Sequence, residues 1–254
     1  MKTLAVIPAR LGSTRLPRKP LRLLAGLPLV VRVWQRVVEV GVADRVVVAT
    51  DSSEIVDVMR GYGGEVVMTR EDHQSGTDRV AEVAARPEFA SFDAIVNVQG
   101  DEPFISREAI LGAARMVTEF GFGLGTAAVH ANTAILRDPN VVKVVAADDG
   151  RALYFSRAGI PFLRDSGNTR DAKAQSDRVW QHIGIYAYDR QSLMRWVALP
   201  LSSLEQIERL EQLRPLSAGM SMGVALIVEP FRPGIDTEVD LERANRDWLA
   251  ITTG

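Results

Sequence analysis

Residues 46–68 read VVVATDSSEIVDVMRGYGGEVVM. The run Val46–Ala49 is apolar and rich in β-branched side chains with no polar alternation, which suits a strand covered on both faces, as parallel sheets require. Asp51, Ser52 and Ser53 follow and are good N-cap types, and Ile55, Met59 and Tyr62 then recur at helical spacing. Val66–Met68 is a second short apolar run. Strand, capped amphipathic helix and strand make one βαβ unit, because parallel strands need a crossover between them.

The same alternation extends in both directions. Leu4–Ile7 and Ile95–Val98 are further buried-strand runs, and Val33, Trp34 and Val37 lie on a helical stretch, Leu29–Val40, that Gly41 stops. Val80, Val83 and Ala84 follow Gly76–Thr77, and Ile110, Ala113, Ala114 and Val117 follow Ser106. The first 120 residues therefore predict β-α-β-α-β-α-β-α, an open doubly wound α/β sheet. Beyond them the pattern changes. Val141–Ala146 and Leu153–Phe155 flank Asp148-Asp149-Gly150, a hairpin signal. Residues 164–178 are polar and predict an exposed loop. Ile183–Tyr188 reads as a strand, Leu204, Ile207, Leu210, Glu211 and Leu213 as one helix, and Met222–Val228 as a strand. Leu241, Ala244, Trp248 and Ile251 stripe a last helix that Thr237 can cap. No repeat or Pro/Gly-rich linker divides the chain, so residues 1–254 are expected to form a single domain with a hairpin subdomain at about 133–190.

The chain of 254 residues carries 30 Lys and Arg against 32 Asp and Glu, a net charge of −2, and no cysteine. Thiolate metal sites, iron–sulfur clusters and cysteine nucleophiles are excluded. Near-neutral charge gives no field for nucleic acid or an anionic membrane. The apolar run near Met1 is too short for a signal sequence or a membrane span, so a cytoplasmic setting is expected. Against this background Arg10, Arg15, Arg18, Lys19 and Arg22 crowd into the loop after the first strand.

That loop, Pro8-Ala9-Arg10-Leu11-Gly12-Ser13-Thr14-Arg15-Leu16-Pro17-Arg18-Lys19, lies where open α/β sheets bind ligands. Gly12 admits a phosphate close to the backbone, Ser13 and neighbouring amides can donate to it, and Arg15 and Lys19 supply charge. The bland alternative is a solvated basic loop. Gln99-Gly100-Asp101-Glu102 closes the fourth strand at the same edge. Asp101 there is a natural Mg²⁺ ligand beside bound phosphates, although the stretch also reads as a polar turn. Asp236, before the last helix, reads by itself as a helix-start residue. His73–Arg79 opens a helix whose side chains and amides can meet a base edge, or simply form a Ser or Thr cap. Neither a P-loop nor the G-x-G-x-x-G pattern occurs, since Gly121, Gly123 and Gly125 have the wrong spacing. Gly219–Gly223 matches G-x-S-x-G but runs from helix to strand, with His73, His130 and His182 all before it, against the hydrolase order. Three scattered histidines also oppose a histidine-ligated metal.

Taken together these segments closely resemble the 3-deoxy-manno-octulosonate cytidylyltransferase family. The resemblance rests on IPARLGSTRLPRKPL at 7–21, VVVATD at 46–51, MTREDHQSGTDRV at 68–80, IVNVQGDEPFI at 95–105, ALYFSRAGIP at 152–161, HIGIYAY at 182–188, LEQIERLEQLR at 204–214 and GIDTEVDLE at 234–242. It implies a nucleotide-diphospho-sugar transferase (Rossmann-like) fold, a mixed, mainly parallel sheet with helices on both faces and a small inserted dimerisation subdomain. It also implies Mg²⁺-dependent transfer of CMP from CTP to 3-deoxy-D-manno-oct-2-ulosonate (KDO) for lipopolysaccharide synthesis, by a cytoplasmic homodimer. By the resemblance Pro8, Arg10, Ser13, Arg15, Lys19, His73, Ser75, Gly76, Thr77 and Arg79 surround CTP, and Asp101 and Asp236 hold the metal. Lys19, Arg15, Asp101 and Asp236 are the catalytic set. The sugar acid falls to Gln99, Arg157, Arg164, His182, Tyr186, Glu211 and Gln212. Loop 164–178 is expected to reach over the sugar and exclude water. An 8-amino analogue or a nonulosonic acid is the alternative acceptor, and a nucleotide-sugar sensor without turnover is the alternative of another class. Arg18 stands where the family commonly has Gly, so the backbone there is not expected to take positive φ freely. Gln181 replaces a basic residue, Ala187 a Gly, and Glu238-Val239 a Pro-Glu pair.

Overall fold

The computed structural model describes residues 1–164 and 176–252. These fall into two compact units, one of residues 1–107 with 232–254 and the other of residues 108–231.

In the first unit β1 (Thr3–Ala9) leads through a 3-10 turn at Lys19–Leu21, a small ribbon of β2 (Leu23–Leu24) and β3 (Leu27–Pro28), and α1 (Leu29–Val40) to β4 (Arg45–Thr50). The crossover α2 (Ser53–Gly61) joins β4 to β5 (Val66–Met68), and α3 (Gly76–Ala84) leads to β6 (Ala94–Asn97). β4 pairs in parallel with both β1 and β5, and β6 pairs in parallel with the other edge of β1. The order β6-β1-β4-β5 reverses direction at β1, the topological switch point at which such sheets bind ligands. Val6, Val47, Val48, Ile95 and Val96 are fully buried, as strands covered on both faces must be. The expected elements are present, with Leu29–Val40 bounded as read and Ser52 accepting from the Ile55 amide at 3.4 Å. Tyr62 departs from the reading. It lies beyond the end of α2 and is 44% exposed, because the helix stops at Gly61 before its apolar stripe reaches that position.

The second unit contains α4 (Arg107–Thr118) from Glu108 onward, then β7 (Leu124–His130), β8 (Lys143–Ala146), β9 (Ala152–Ser156) and β10 (Trp180–Asp189). It continues with α5 (Arg190–Ala198), α6 (Ser203–Glu208), α7 (Leu213–Ser217) and β11 (Met222–Ile227). β11 runs parallel to β7, whereas β7, β10, β8 and β9 pair antiparallel in that order. The hairpin forms as expected. The single helix expected around Leu204–Leu213 is instead α6 and α7, because Arg209 takes a left-handed conformation, φ 54°, that ends the first. Most of the expected loop 164–178 lies outside the described residues.

The chain then returns to the first unit as α8 (Glu238–Thr252). Thr237 caps it as expected: its Oγ1 accepts from the Asp240 amide at 3.2 Å while the Asp240 carboxylate accepts from the Thr237 amide at 3.0 Å. Leu241 and Ala244 are buried, and Trp248 packs at a tilt against Phe104 under the Arg32 guanidinium. The Ile251 side chain lies outside the described residues.

Candidate active site

Three loops at the carboxyl ends of β1, β5 and β6 meet in the first unit around a cleft of about 320 Å³. The loop after β1 contributes Arg10, Gly12, Ser13, Arg15 and Lys19. It is a built turn: the Ser13 amide donates to the Leu11 carbonyl at 2.8 Å, Leu16 is fully buried, and Pro20 anchors the 3-10 turn that presents Lys19. Arg18 adopts φ 57° despite its side chain, against the expectation from sequence. Its guanidinium pairs with Glu54 at the start of α2, which holds the residue in the left-handed region.

The loop after β5 and the start of α3 contribute His73, Ser75, Gly76 and Arg79. Ser75 is an N-cap in a full capping box: its hydroxyl accepts from the Asp78 amide at 3.1 Å and donates to the Asp78 carboxylate at 2.9 Å. Its proton is thus used by the helix. A Cβ on Gly76 would sit 3.3 Å from the Pro8 ring, a tight fit, and one on Gly100 only 2.7 Å from the Pro8 carbonyl oxygen, so glycine is needed at 100 for the floor where β1, α3 and β6 meet. Thr77 is buried in the first turn of α3 and does not line the cleft. Arg79 does line it, yet its guanidinium is committed to Asp51 at 2.6 Å, to the Thr69 hydroxyl and to the Arg70 carbonyl at 3.3 Å.

Gln99, Gly100 and Asp101 come from the loop after β6, and Asp236 from the approach to α8. The Ile235 amide donates to the Asp101 carbonyl at 2.9 Å, which ties the two carboxylate-bearing segments together. A side chain on Gly234 would strike the Asp101 carbonyl and the Glu102 carboxylate, both at 2.8 Å. Lys19 Nζ donates to Asp101 Oδ2 at 2.6 Å and to Asp236 Oδ1 at 2.8 Å, and Arg15 reaches Asp236 at 3.1 Å. Burial opposes the charged form of Lys19, but the two carboxylates outweigh it and raise its pKa above the ordinary lysine value. Glu102, behind them, is held well above the usual carboxylate range by burial and by its acidic neighbours.

Two carboxylate oxygens that converge on one ammonium also suit a hard cation. Asp101 and Asp236 are the two carboxylates that would hold it, and among the described residues no group of three or more His, Cys, Asp or Glu is placed to hold a metal ion. That is the Mg²⁺ pattern, in which substrate phosphates and water complete the shell.

The second unit holds the other expected residues. Arg157 donates from Nε to the Glu208 carbonyl at 2.9 Å and from Nη1 to the Pro139 carbonyl at 3.1 Å. Arg164 is exposed. His182 donates from Nε2 to Thr126 Oγ1 at 2.9 Å, since that hydroxyl spends its own proton on the Ile185 carbonyl at 2.6 Å. Burial pushes the His182 pKa down to about 3, so the ring is neutral. Tyr186 stacks on Tyr188 and meets His182 at a tilt and Trp196 edge-on, and its pKa is raised well above the usual value by burial and by Glu211. Gln212 is buried.

Sequence reasoning missed several working residues. Glu82 accepts from His73, and Glu102 backs the paired aspartates. Lys143, fully buried, donates to the carbonyls of Asp138, Val141 and Arg157. Glu82 alone carried a signal, as a carboxylate on the helix that His73 introduces.

Residues 4–222 match the cytidylyltransferase family model. The 3-deoxy-manno-octulosonate cytidylyltransferase of Gemmatimonas aurantiaca is 62% identical over 98% of this chain and 95% of its own length. That of Yersinia enterocolitica is 47% identical over 98% and 99%. A solved structure of CMP:2-keto-3-deoxy-manno-octonic acid synthetase complexed with CTP superposes with a TM-score of 0.88 at 37% identity, covering 98% of this chain and 99% of that one. A 4-diphosphocytidyl-2C-methyl-D-erythritol synthase from Anaerococcus prevotii, 15% identical with a TM-score of 0.62, shares the fold. With a mixed, mainly parallel α/β architecture and this degree of identity, the chain belongs to the cytidylyltransferase family, among its 3-deoxy-manno-octulosonate members.

Proposed function

We propose that this protein transfers CMP from CTP to the anomeric hydroxyl of KDO, releasing pyrophosphate. The observation that carries the reading is the meeting, in one cleft, of the cationic loop after β1, the start of α3 and the paired carboxylates Asp101 and Asp236. Gly12 and Ser13 offer backbone donors to the triphosphate, and Arg10, Arg15 and Lys19 offset its charge. The anomeric oxygen bonds to the α-phosphorus as the bond from that phosphorus to pyrophosphate breaks, and the hydroxyl proton passes to water. Lys19 and Arg15 stabilise the charge that grows on the phosphoryl oxygens and the leaving group. Asp101 and Asp236 are the residues that would hold Mg²⁺, which when bound supplies Lewis-acid charge to the hydroxyl and phosphate oxygens. Arg157 and Arg164 are the cations we assign to the sugar-acid carboxylate.

Pyrophosphate release with CTP and KDO, with and without Mg²⁺, tests the reading, with 8-amino-KDO and sialic acid as competing acceptors. Metal-dependent release with KDO is expected, and none with any acceptor would overturn it. The family reading extends to a cytoplasmic homodimer serving lipopolysaccharide synthesis, and a monomeric mass by light scattering would remove the dimer. Among the described residues no helix is long and apolar enough to cross a membrane.

A further inference from the structure

His73 lines the nucleotide cleft, and its Nε2 lies 2.6 Å from Glu82 Oε2. A carboxylate only accepts hydrogen bonds, so the proton in that contact belongs to Nε2. Glu82 is itself held firmly. Its Oε2 also accepts from the Arg70 amide at 3.0 Å, and its Oε1 accepts from the Arg86 guanidinium at 3.1 Å. Burial pushes the Glu82 carboxyl up, and the Arg70 amide, His73 and Arg86 outweigh it and leave it below the usual range. The polar atom His73 has left is Nδ1, which makes no hydrogen bond among the described residues. Ser75, the neighbouring polar side chain, has committed its proton to Asp78.

We propose that Glu82 is a positioning residue for base selection, fixing His73 in the Nε2–H tautomer so that Nδ1 meets the base as an acceptor. This deepens the CTP reading and rests on it. An acceptor suits the 4-amino group of cytosine and opposes the 4-oxo group of uracil. A site that leaves a buried polar group unpaired against the wrong ligand discriminates strongly, whereas shape alone does not.

The test is calorimetric binding of CTP and UTP, without sugar acid, to the full chain and to Glu82→Ala, His73→Ala and the double variant. Glu82→Ala is expected to weaken CTP by about tenfold, one lost hydrogen bond in a buried site, and to change UTP little. The double variant should bind CTP no more weakly than His73→Ala, because Glu82 acts through His73. An unaltered CTP affinity, equal losses for CTP and UTP, or losses that add in the double variant would each overturn the proposal. A pure loop-pinning role gives one of the last two. Should Glu82→Ala fail to fold, Glu82→Met keeps the bulk without the acceptor and takes its place. Wild-type protein that binds CTP but releases no pyrophosphate with any acceptor sinks the transfer reading alone. Turnover with CTP alongside an unchanged preference in Glu82→Ala sinks only this inference.

Discussion

Lys19 is the residue on which the two acidic segments converge, and its replacement separates charge from structure. Lys19→Met keeps the stem but removes the ammonium that lies 2.6 and 2.8 Å from Asp101 and Asp236. Turnover should fall by at least about 100-fold, the scale of a lost transition-state charge contact, and so should turnover of Asp101→Asn and Asp236→Asn. Steady-state pyrophosphate release checks all three, and a near-normal rate in any of them removes that residue from the chemistry. Arg18 makes an opposite prediction. A non-glycine residue at φ 57° is strained by about 1 kcal/mol, and its exposed pair with Glu54 returns about 0–1 kcal/mol. Arg18→Gly should leave stability unchanged or raise it by up to about 1 kcal/mol in denaturant unfolding, and a larger loss would show that the pair does more than offset strain. His182 ties stability to pH. Its folded pKa of about 3 lies below the 6.5 of an unfolded histidine, so between those values the unfolded chain binds more protons and stability falls as pH falls. The slope is at most about 1.4 kcal/mol per pH unit, and His182→Gln should flatten it in unfolding measured from pH 6.5 to 4.

At the scale of elements, the cleft depends on how closely β1, α3 and β6 approach. A methyl group on Gly100 would press on the Pro8 carbonyl at 2.7 Å, and main chain cannot yield as a flexible side chain does. Gly100→Ala should cost about 1–3 kcal/mol, as overpacking does, and should weaken CTP binding, with unfolding and calorimetry as the checks. The strands that make this floor were legible because burial on both faces leaves a continuous apolar run, as at Val46–Ala49. The caps at Ser52 and Thr237 were legible because the capping side chain and its partner lie within four residues of each other. What stayed hidden depends on tertiary return. His73 meets Glu82 nine positions on only because the chain turns into α3 between them. Lys143 reads as a polar break in a strand until the carbonyls that surround it are folded into place. Asp236 looked like a helix-start residue because its partner Lys19 is 217 positions away. The break between α6 and α7 was missed because nothing in Leu204–Leu213 marks Arg209 as left-handed.

For the whole molecule, the main fact is that the first unit is made from both ends of the chain. Arg22 grips Glu238 with both Nη atoms, at 2.8 and 2.5 Å, and the Ala25 amide donates to Asn245 at 2.8 Å. Trp248 packs between Arg32 and Phe104. A chain ended after Phe231 should therefore release no pyrophosphate and melt at a lower temperature, and full turnover by that fragment would contradict the assignment of Asp236. The same construction bears on biosynthesis. Domains fold as they leave the ribosome, N-terminal parts first, so Lys19, His73 and Asp101 emerge long before their last partner does. Asp236, the second acidic arm, emerges only just before α8. On the proposed roles, a chain stalled before residue 236 lacks the second carboxylate, so chemical competence is expected only once translation has passed that position.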